Sequence, residues 1–255
     1  KRDTLPAFYL LKQTFDHGSR SYTRTLLFAR LRAVPWTEGS VLPHEQTFPK
    51  HKADRLQLMK AAKINASAVF LFYRDDADRI HDVIDRVGRQ APLADFDAAD
   101  GQHHQLIRID EPATVDTLHS AFASEVVYIA DGHHRYETAN LYRDEVRSTR
   151  SAWTGEEPEN FAMVGLVAAD DPGLLVLPTH RVTAAQAPWP DVQARLDPLF
   201  NLEPFAGDAA ELVQILATKT DEPAWGLTSA DAGTFLVTIK DGGDVDQLLP
   251  QDRSP

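Results

Sequence analysis

Residues 126–139 read VVYIADGHHRYETA, and this stretch predicts a buried strand that runs directly into a helix. The apolar residues 126–130 are typical of a buried strand. Asp131 and Gly132 then turn the chain, because glycine accepts backbone conformations that a residue with a Cβ resists. A helix is expected from His133. Since ligands bind at the carboxyl ends of strands in α/β folds, this junction is the candidate functional site.

The polar residues of the junction predict a phosphate-binding cluster. A helix N-terminus favours an anion through its N–H groups and its dipole. Arg135 can make a forked contact with phosphate oxygens, and His133 and His134 can donate hydrogen bonds or move a proton near neutral pH. Asp131 can hold a divalent cation or orient a hydroxyl. The alternative is an ordinary helix start, since Asp is a common N-cap. The motif matches neither the dinucleotide fingerprint nor the Walker A loop.

The composition is that of a globular protein, with 43% apolar and 25% charged residues. The formal net charge of −12 argues against a sequence-independent nucleic-acid binder. No cysteine is present, which excludes disulfides, zinc–thiolate sites and cysteine nucleophiles. It also fits a reducing compartment, so a cytoplasmic location is expected. No apolar run approaches the roughly 20 residues that span a bilayer, and no membrane association is expected.

Working outward from the junction, the patterns predict an α/β fold with a mixed sheet. A hairpin is expected from residues 7–15 and 22–33. Further strands are expected at 67–73, 103–110 and 161–169, and helices at 52–64, 76–88 and 112–122. The main domain is placed at 1–182 and a smaller α+β region at 183–255. The alternative is one continuous domain.

Two loops add candidate residues. In LPHEQTF (42–48), Glu45 beside His44 can serve as a general base, although the residues alone favour a solvated carboxylate. The basic residues that follow, Arg55 among them, are interpreted as the start of a solvated helix. In LPTHRV (177–182), Arg181 can bring a further guanidinium to a phosphate, and the alternative is an ordinary loop.

Four motifs together resemble domain-of-unknown-function family 1015, which is widespread in bacteria and archaea. They are PHEQT (43–47), K-x-D-R-L (52–56), N-x-S-x-x-F-L-x-Y (65–73) and YIADGHHRYETA (128–139). The resemblance covers roughly residues 7–182. The family usually has an additional N-terminal segment and the sequence does not begin with Met. We therefore expect the natural protein to have further residues before residue 1.

The DGHHR box is also similar to the box of the ParB/sulfiredoxin fold, which includes archaeal free-serine kinases with PHEQ and DGHHR in the same order. This resemblance implies a ParB/sulfiredoxin-like core with inserted strands and helices. It implies Glu45 as the catalytic base on a serine hydroxyl, aided by His44 and Asp131. The phosphate or magnesium ligands it implies are Asp131, Gly132, His133, His134 and Arg135. The absent cysteine excludes sulfiredoxin chemistry, and the spacing between the two boxes is longer here than in the kinases.

The expected function is therefore a phosphotransferase that uses ATP or ADP with Mg²⁺ and acts on a small hydroxylated metabolite such as free serine. The expected partners are the nucleotide and that small-molecule substrate. One alternative is a non-catalytic regulatory module that binds a nucleotide or phosphate. A second alternative is a metal-dependent hydrolase, for which no complete ligand set is visible.

Overall fold

A computed structural model of the chain describes residues 3–44, 49–177, 179–184, 187–219 and 222–240, with the backbone alone for 49–52. The chain divides into two compact units, and the division falls after Leu177. The sequence predicts a domain boundary after residue 182, a few residues beyond this division, and that boundary stays a prediction. No helix in these ranges is long and apolar enough to cross a membrane.

The first unit is an eight-stranded sheet with helices, counted over the described ranges. Its strands are β1 (Phe8–His17), β2 (Arg20–Arg32), β3 (Val41–Leu42), β4 (Val69–Tyr73), β5 (Ala94–Asp97), β6 (His103–Ile109), β7 (Val127–Asp131) and β8 (Phe161–Ala168). Its α-helices are α1 (Pro49–Ala62), α2 (Arg79–Val87), α3 (Pro112–Phe122) and α4 (His133–Ser148). Two short 3-10 helices span Trp36–Glu38 and Pro158–Asn160.

The strand order in this sheet is β3-β7-β4-β8-β2-β1-β6-β5. The β3/β7 and β4/β8 pairs are parallel, and the other neighbours are antiparallel. The expected mixed α/β fold is therefore confirmed, whereas the ParB/sulfiredoxin-like core stays a prediction. The expected hairpin is also present, since β1 and β2 pair from Tyr9–Phe28 to His17–Arg20. Gly18 at the turn has a φ of 61°, a conformation that glycine adopts without steric cost.

Strand β4 is fully buried on one face only. Val69, Leu71 and Tyr73 are buried, whereas the alternating Phe70 and Phe72 are partly exposed. The Tyr73 ring lies 4.9 Å from an aromatic ring of α3, so the buried face is the one that the helices cover. The segment is apolar at every position, and the sequence therefore does not show that one face of this strand is partly exposed.

Three strands lie where the sequence predicts none. Strand β3 is two residues long inside an expected loop, and the ADFD segment of β5 has a largely exposed, acidic pattern. Strand β9 (Phe200–Phe205) lies in the α+β region expected at 183–255 and contains Pro204. Strand β3 is too short to show any periodicity, and β5 and β9 alternate apolar and polar residues over only four positions, which is too few to identify a strand.

The second unit is a three-stranded antiparallel sheet with two helices, over the residues described. Strands β10 (Ala224–Ser229), β11 (Gly233–Ile239) and β9 are arranged in the order β10-β11-β9. Helices α5 (Trp189–Leu196) and α6 (Ala209–Thr218) accompany them. Helix α6 begins with a capping box between Asp208 and Glu211, which satisfies two N–H groups at its start.

The carboxylate of Glu157 generates a prediction for the acid stability of the first unit. It accepts N–H groups from Thr154 and Gly155 at 2.8 Å each, and these hydrogen bonds lower its pKa from 4.5 to about 2. A carboxylate with a depressed pKa stabilises the fold above its unfolded pKa, and this contribution is lost as the pH falls through the folded pKa.

We expect Glu157→Gln to lower the melting temperature at pH 7, with the difference from wild type vanishing as the pH falls from about 4.5 to about 2. Thermal unfolding over this pH range is the measurement. Glu156→Gln is the control, because Glu156 forms only a surface ion pair with Arg32. A Glu157→Gln difference that is independent of pH would contradict the assignment.

Candidate functional site

The strand directions bring three chain segments to one edge of the sheet. Strand β3 runs parallel to β7, so both strands end at this edge. Strand β4 runs antiparallel to β7, so it begins there, with Phe70 opposite Asp131. The segment after Leu42, the segment before Val69 and the junction after Asp131 are therefore neighbours, although they are far apart in sequence.

Gly132 sets the angle between β7 and α4. Its φ of 103° lies in the left-handed region, and its carbonyl accepts the first intrahelical hydrogen bond, from the Tyr136 N–H at 3.0 Å. Glycine has no side chain that could cap the first turn of the helix. The N-terminus of α4 and its dipole thus face the sheet edge without a capping carboxylate, an arrangement that favours a bound anion.

A cavity of about 330 Å³ opens at this helix start. Its lining residues are Arg55, Ser67, Asp131, Gly132, His133, His134 and Arg135. Arg55 comes from α1 and makes no ion pair or hydrogen bond with any other described residue. Its guanidinium can therefore bind an anion without first breaking an internal contact. Two arginines and a helix N-terminus face one carboxylate here, so the cavity is locally positive in a chain whose net charge is −12.

Arg135 is held in place by contacts with both neighbouring strands. Its guanidinium donates to Ser67 Oγ at 2.9 Å and to the carbonyl of Ala68, the residue before β4. It also forms an ion pair with the Asp131 carboxylate at the end of β7. The Arg135 side chain is 22% exposed and that of Asp131 is 75% exposed. The positive group is thus pre-positioned, while the carboxylate remains accessible to solvent and ligands.

His133 attaches the loop after β3 to the start of α4. It is only 2% exposed, and its Nε2 accepts the backbone N–H of His44 at 3.2 Å. The two imidazole rings lie 4.5 Å apart at 90°. His44 Nδ1 lies 2.7 Å from the Ile129 carbonyl oxygen, which can only accept, so Nδ1 carries the proton. In the neutral ring, a lone pair then remains on His44 Nε2.

The candidate residues are distributed as follows. The cavity is lined by the junction residues Asp131, Gly132, His133, His134 and Arg135. His44 lies beside His133 rather than in the lining, and Glu45 lies outside the described residues. Arg181 is exposed and belongs to the second unit. The roles assigned to all of these residues stay predictions.

The expected metal role of Asp131 also stays a prediction. Among the described parts of the chain, no group of three or more His, Asp or Glu side chains is placed to hold a metal ion. Magnesium typically needs only one or two protein carboxylates when phosphate oxygens and waters complete its shell. The exposed carboxylate of Asp131 fits that lesser requirement.

Sequence reasoning missed two residues of the cavity. Arg55 was interpreted as part of a solvated helix, and Ser67 was not considered. Both belong to motifs that carry the family resemblance, K-x-D-R-L (52–56) and N-x-S-x-x-F-L-x-Y (65–73). These motifs were the signal that could have identified them. The strand pairing that brings them to Asp131 is not visible in the sequence.

Comparison with known proteins gives a family and no further relatives. A family model described as "Protein of unknown function (DUF1015)" matches residues 1–251. No curated protein and no solved structure matches the chain.

Gly132→Ala tests whether the junction binds anions. A Cβ at this position would lie 2.9 Å from Arg135 guanidinium nitrogens, and the left-handed φ adds backbone strain. We expect about a tenfold weaker affinity for pyrophosphate by calorimetry, because the forked contact is displaced. The free energy of unfolding should fall by about 1–2 kcal/mol.

The matched control for this substitution is Gly18→Ala in the β1–β2 turn. Gly18 also has a positive φ, of 61°, but no described atom would lie within 4 Å of its Cβ. The control should lose a similar amount of stability and keep the pyrophosphate affinity of the wild type. Unchanged affinity in Gly132→Ala would count against an anion site at this junction.

Proposed function

We propose that this chain, which belongs to the DUF1015 family, is a nucleotide-dependent phosphotransferase that acts on a small hydroxylated metabolite such as free serine. The family expected from the motifs is confirmed. The likeness of the DGHHR box to the ParB/sulfiredoxin fold stays a prediction. The observation that carries the proposal is the cavity where Arg55, Arg135 and the N-terminus of α4 meet, next to the loop that contains His44.

The phosphate groups of ATP or ADP are assigned to this cavity. Phosphoryl transfer depends mainly on positioning and on stabilising charge that spreads over the phosphoryl oxygens. Arg55 offers an uncommitted guanidinium, Arg135 a pre-positioned one, and the first turn of α4 the positive end of a dipole. The exposed hydroxyl of Ser67 adds a polar contact at the rim of the cavity.

The acceptor hydroxyl is assigned to the side of the cavity that faces the His44 loop. Its oxygen attacks the terminal phosphorus, the bond from that phosphorus to the bridging oxygen breaks, and the shortened nucleotide leaves. Glu45 is the proposed base that takes the hydroxyl proton. His44, the preceding residue, has a lone pair on Nε2 that can accept a hydrogen bond from the same hydroxyl.

Asp131 is the residue that would hold magnesium. Its carboxylate is 75% exposed and lines the same cavity as the arginines. Bound magnesium would neutralise phosphate charge. To bind the ion, Asp131 has to share its carboxylate with Arg135 or release it, since the two side chains form an ion pair.

That ion pair favours a second candidate function, a non-catalytic module that binds a nucleotide or phosphate. With the Asp131 carboxylate committed to Arg135, the cavity would bind an anion through its cationic groups alone. In this case Glu45 would have no chemical role. The metal-dependent hydrolase has less support, because no group of described side chains forms a metal-binding cluster.

Glu45→Gln separates the two candidates. We incubate the protein with ATP or ADP, magnesium and a panel of hydroxylated amino acids, and follow phosphorylated product by phosphorus NMR. Loss of a general base typically costs about 10²–10⁴-fold in rate, so product formation should fall by that factor. Nucleotide affinity should remain that of wild type, because the cationic groups are untouched.

Two further variants complete this experiment. Arg135→Ala should lose both nucleotide binding and product formation. Glu156→Gln, which alters an exposed carboxylate paired with Arg32, should change neither. Nucleotide binding without product in any substrate screen would favour the regulatory module. A Glu45→Gln enzyme as fast as wild type would refute Glu45 as the base.

A further inference from the structure

A second cavity of about 140 Å³ adjoins the anion cavity. Three residues, Arg55, Ser67 and Arg135, line both. The remaining lining residues of the second cavity are Leu58, Met59, Ala62, Ile64, Asn65, Ala66, Val69 and Thr138. The two cavities are therefore adjacent and share a wall, so a group bound in one lies next to the other.

The second cavity is lined by apolar side chains that the fold leaves exposed. Leu58 on α1 is 60% exposed and Ile64 after the helix is 62% exposed, although both are large hydrophobic residues. Val69, only 2% exposed, lies at the buried end of the lining. A ligand that covers Leu58 and Ile64 gains the free energy of removing apolar surface from water. Leu58 and Ile64 thus offer an apolar contact surface next to the anion cavity.

The end of α1 explains why this wall exists. The Lys63 N–H donates to the Met59 carbonyl at 2.8 Å, and Lys63 has a φ of 54°. A residue in the left-handed conformation ends a helix and redirects the chain. The segment that follows leads to β4 and contributes Ile64 and Asn65 to the cavity wall.

Asn65 adds polar specificity to the apolar cavity. Its carboxamide makes no hydrogen bond with any other residue in the described ranges. A carboxamide has both an acceptor oxygen and a donor NH₂ group. The cavity can therefore bind a flat group that is apolar on its faces and carries hydrogen-bonding atoms on its edge.

We propose that the second cavity binds the nucleobase of the nucleotide whose phosphates occupy the anion cavity. This inference rests on the proposed function, since it assigns the other end of the same ligand. A nucleobase has apolar faces for Leu58 and Ile64 and a polar edge for Asn65. Arg55 and Arg135, at the shared wall, lie between base and phosphates. The combined volume lies within the roughly 300–1,000 Å³ that small-molecule sites occupy.

The test compares ATP with inorganic tripolyphosphate, which has the phosphates and no base, by calorimetry on the full chain. Wild type should bind ATP more tightly than tripolyphosphate. Leu58→Ser and Ile64→Ser should each weaken ATP binding by about tenfold, as expected when a large apolar contact is lost. Tripolyphosphate affinity should stay unchanged in both variants. Asn65→Ala should weaken ATP binding and leave tripolyphosphate binding unchanged.

Leu141→Ser is the matched control, because Leu141 is an exposed leucine on α4 that does not belong to the lining of either cavity. It should bind both probes like wild type, and melting temperatures verify that each variant is folded. Equal affinity of wild type for the two probes, or unchanged ATP affinity in Leu58→Ser and Ile64→Ser, would overturn the nucleobase assignment and leave the phosphate site standing. If neither probe binds wild type, the proposed function fails as well.

Discussion

The pairing of β7 with β3 on one side and β4 on the other is the constraint on which the candidate site depends. Because β3 is parallel to β7 and β4 is antiparallel, the end of two strands and the start of a third meet at one edge. Arg135 then donates hydrogen bonds to the two residues before β4, and His133 accepts one from the loop after β3. With either pairing reversed, the segment that contains Ser67 or the loop that contains His44 would not lie beside the start of α4.

Much of the fold could be predicted from local patterns, because helices and long strands repeat their apolar residues at fixed spacings. The β1–β2 hairpin and helix α4 are examples. Strand β3 could not be predicted, since two residues carry no periodicity and their pairing with β7 is a tertiary contact. The one-sided burial of β4 also depends on which face the helices cover, which its apolar run does not reveal.

The residues of the candidate site that are consecutive in sequence could be predicted, and those that are distant in sequence could not. The segment from Asp131 to Arg135 combines a turn, a helix start and a cationic side chain within five positions, so the sequence alone predicts an anion-binding role for it. Arg55 and Ser67 reach the same cavity from α1 and from the segment before β4. Their contribution depends on sheet topology, and a basic residue on a polar helix is ordinarily solvated.

The hydrogen bond between the His44 amide and His133 also fixes the tautomer of a buried imidazole ring. Nε2 of His133 accepts this N–H only through an unprotonated lone pair. An imidazolium at His133 would place two donors against each other, so this hydrogen bond requires an Nε2 that carries no proton. This ring therefore cannot relay protons through Nε2 while it anchors the loop.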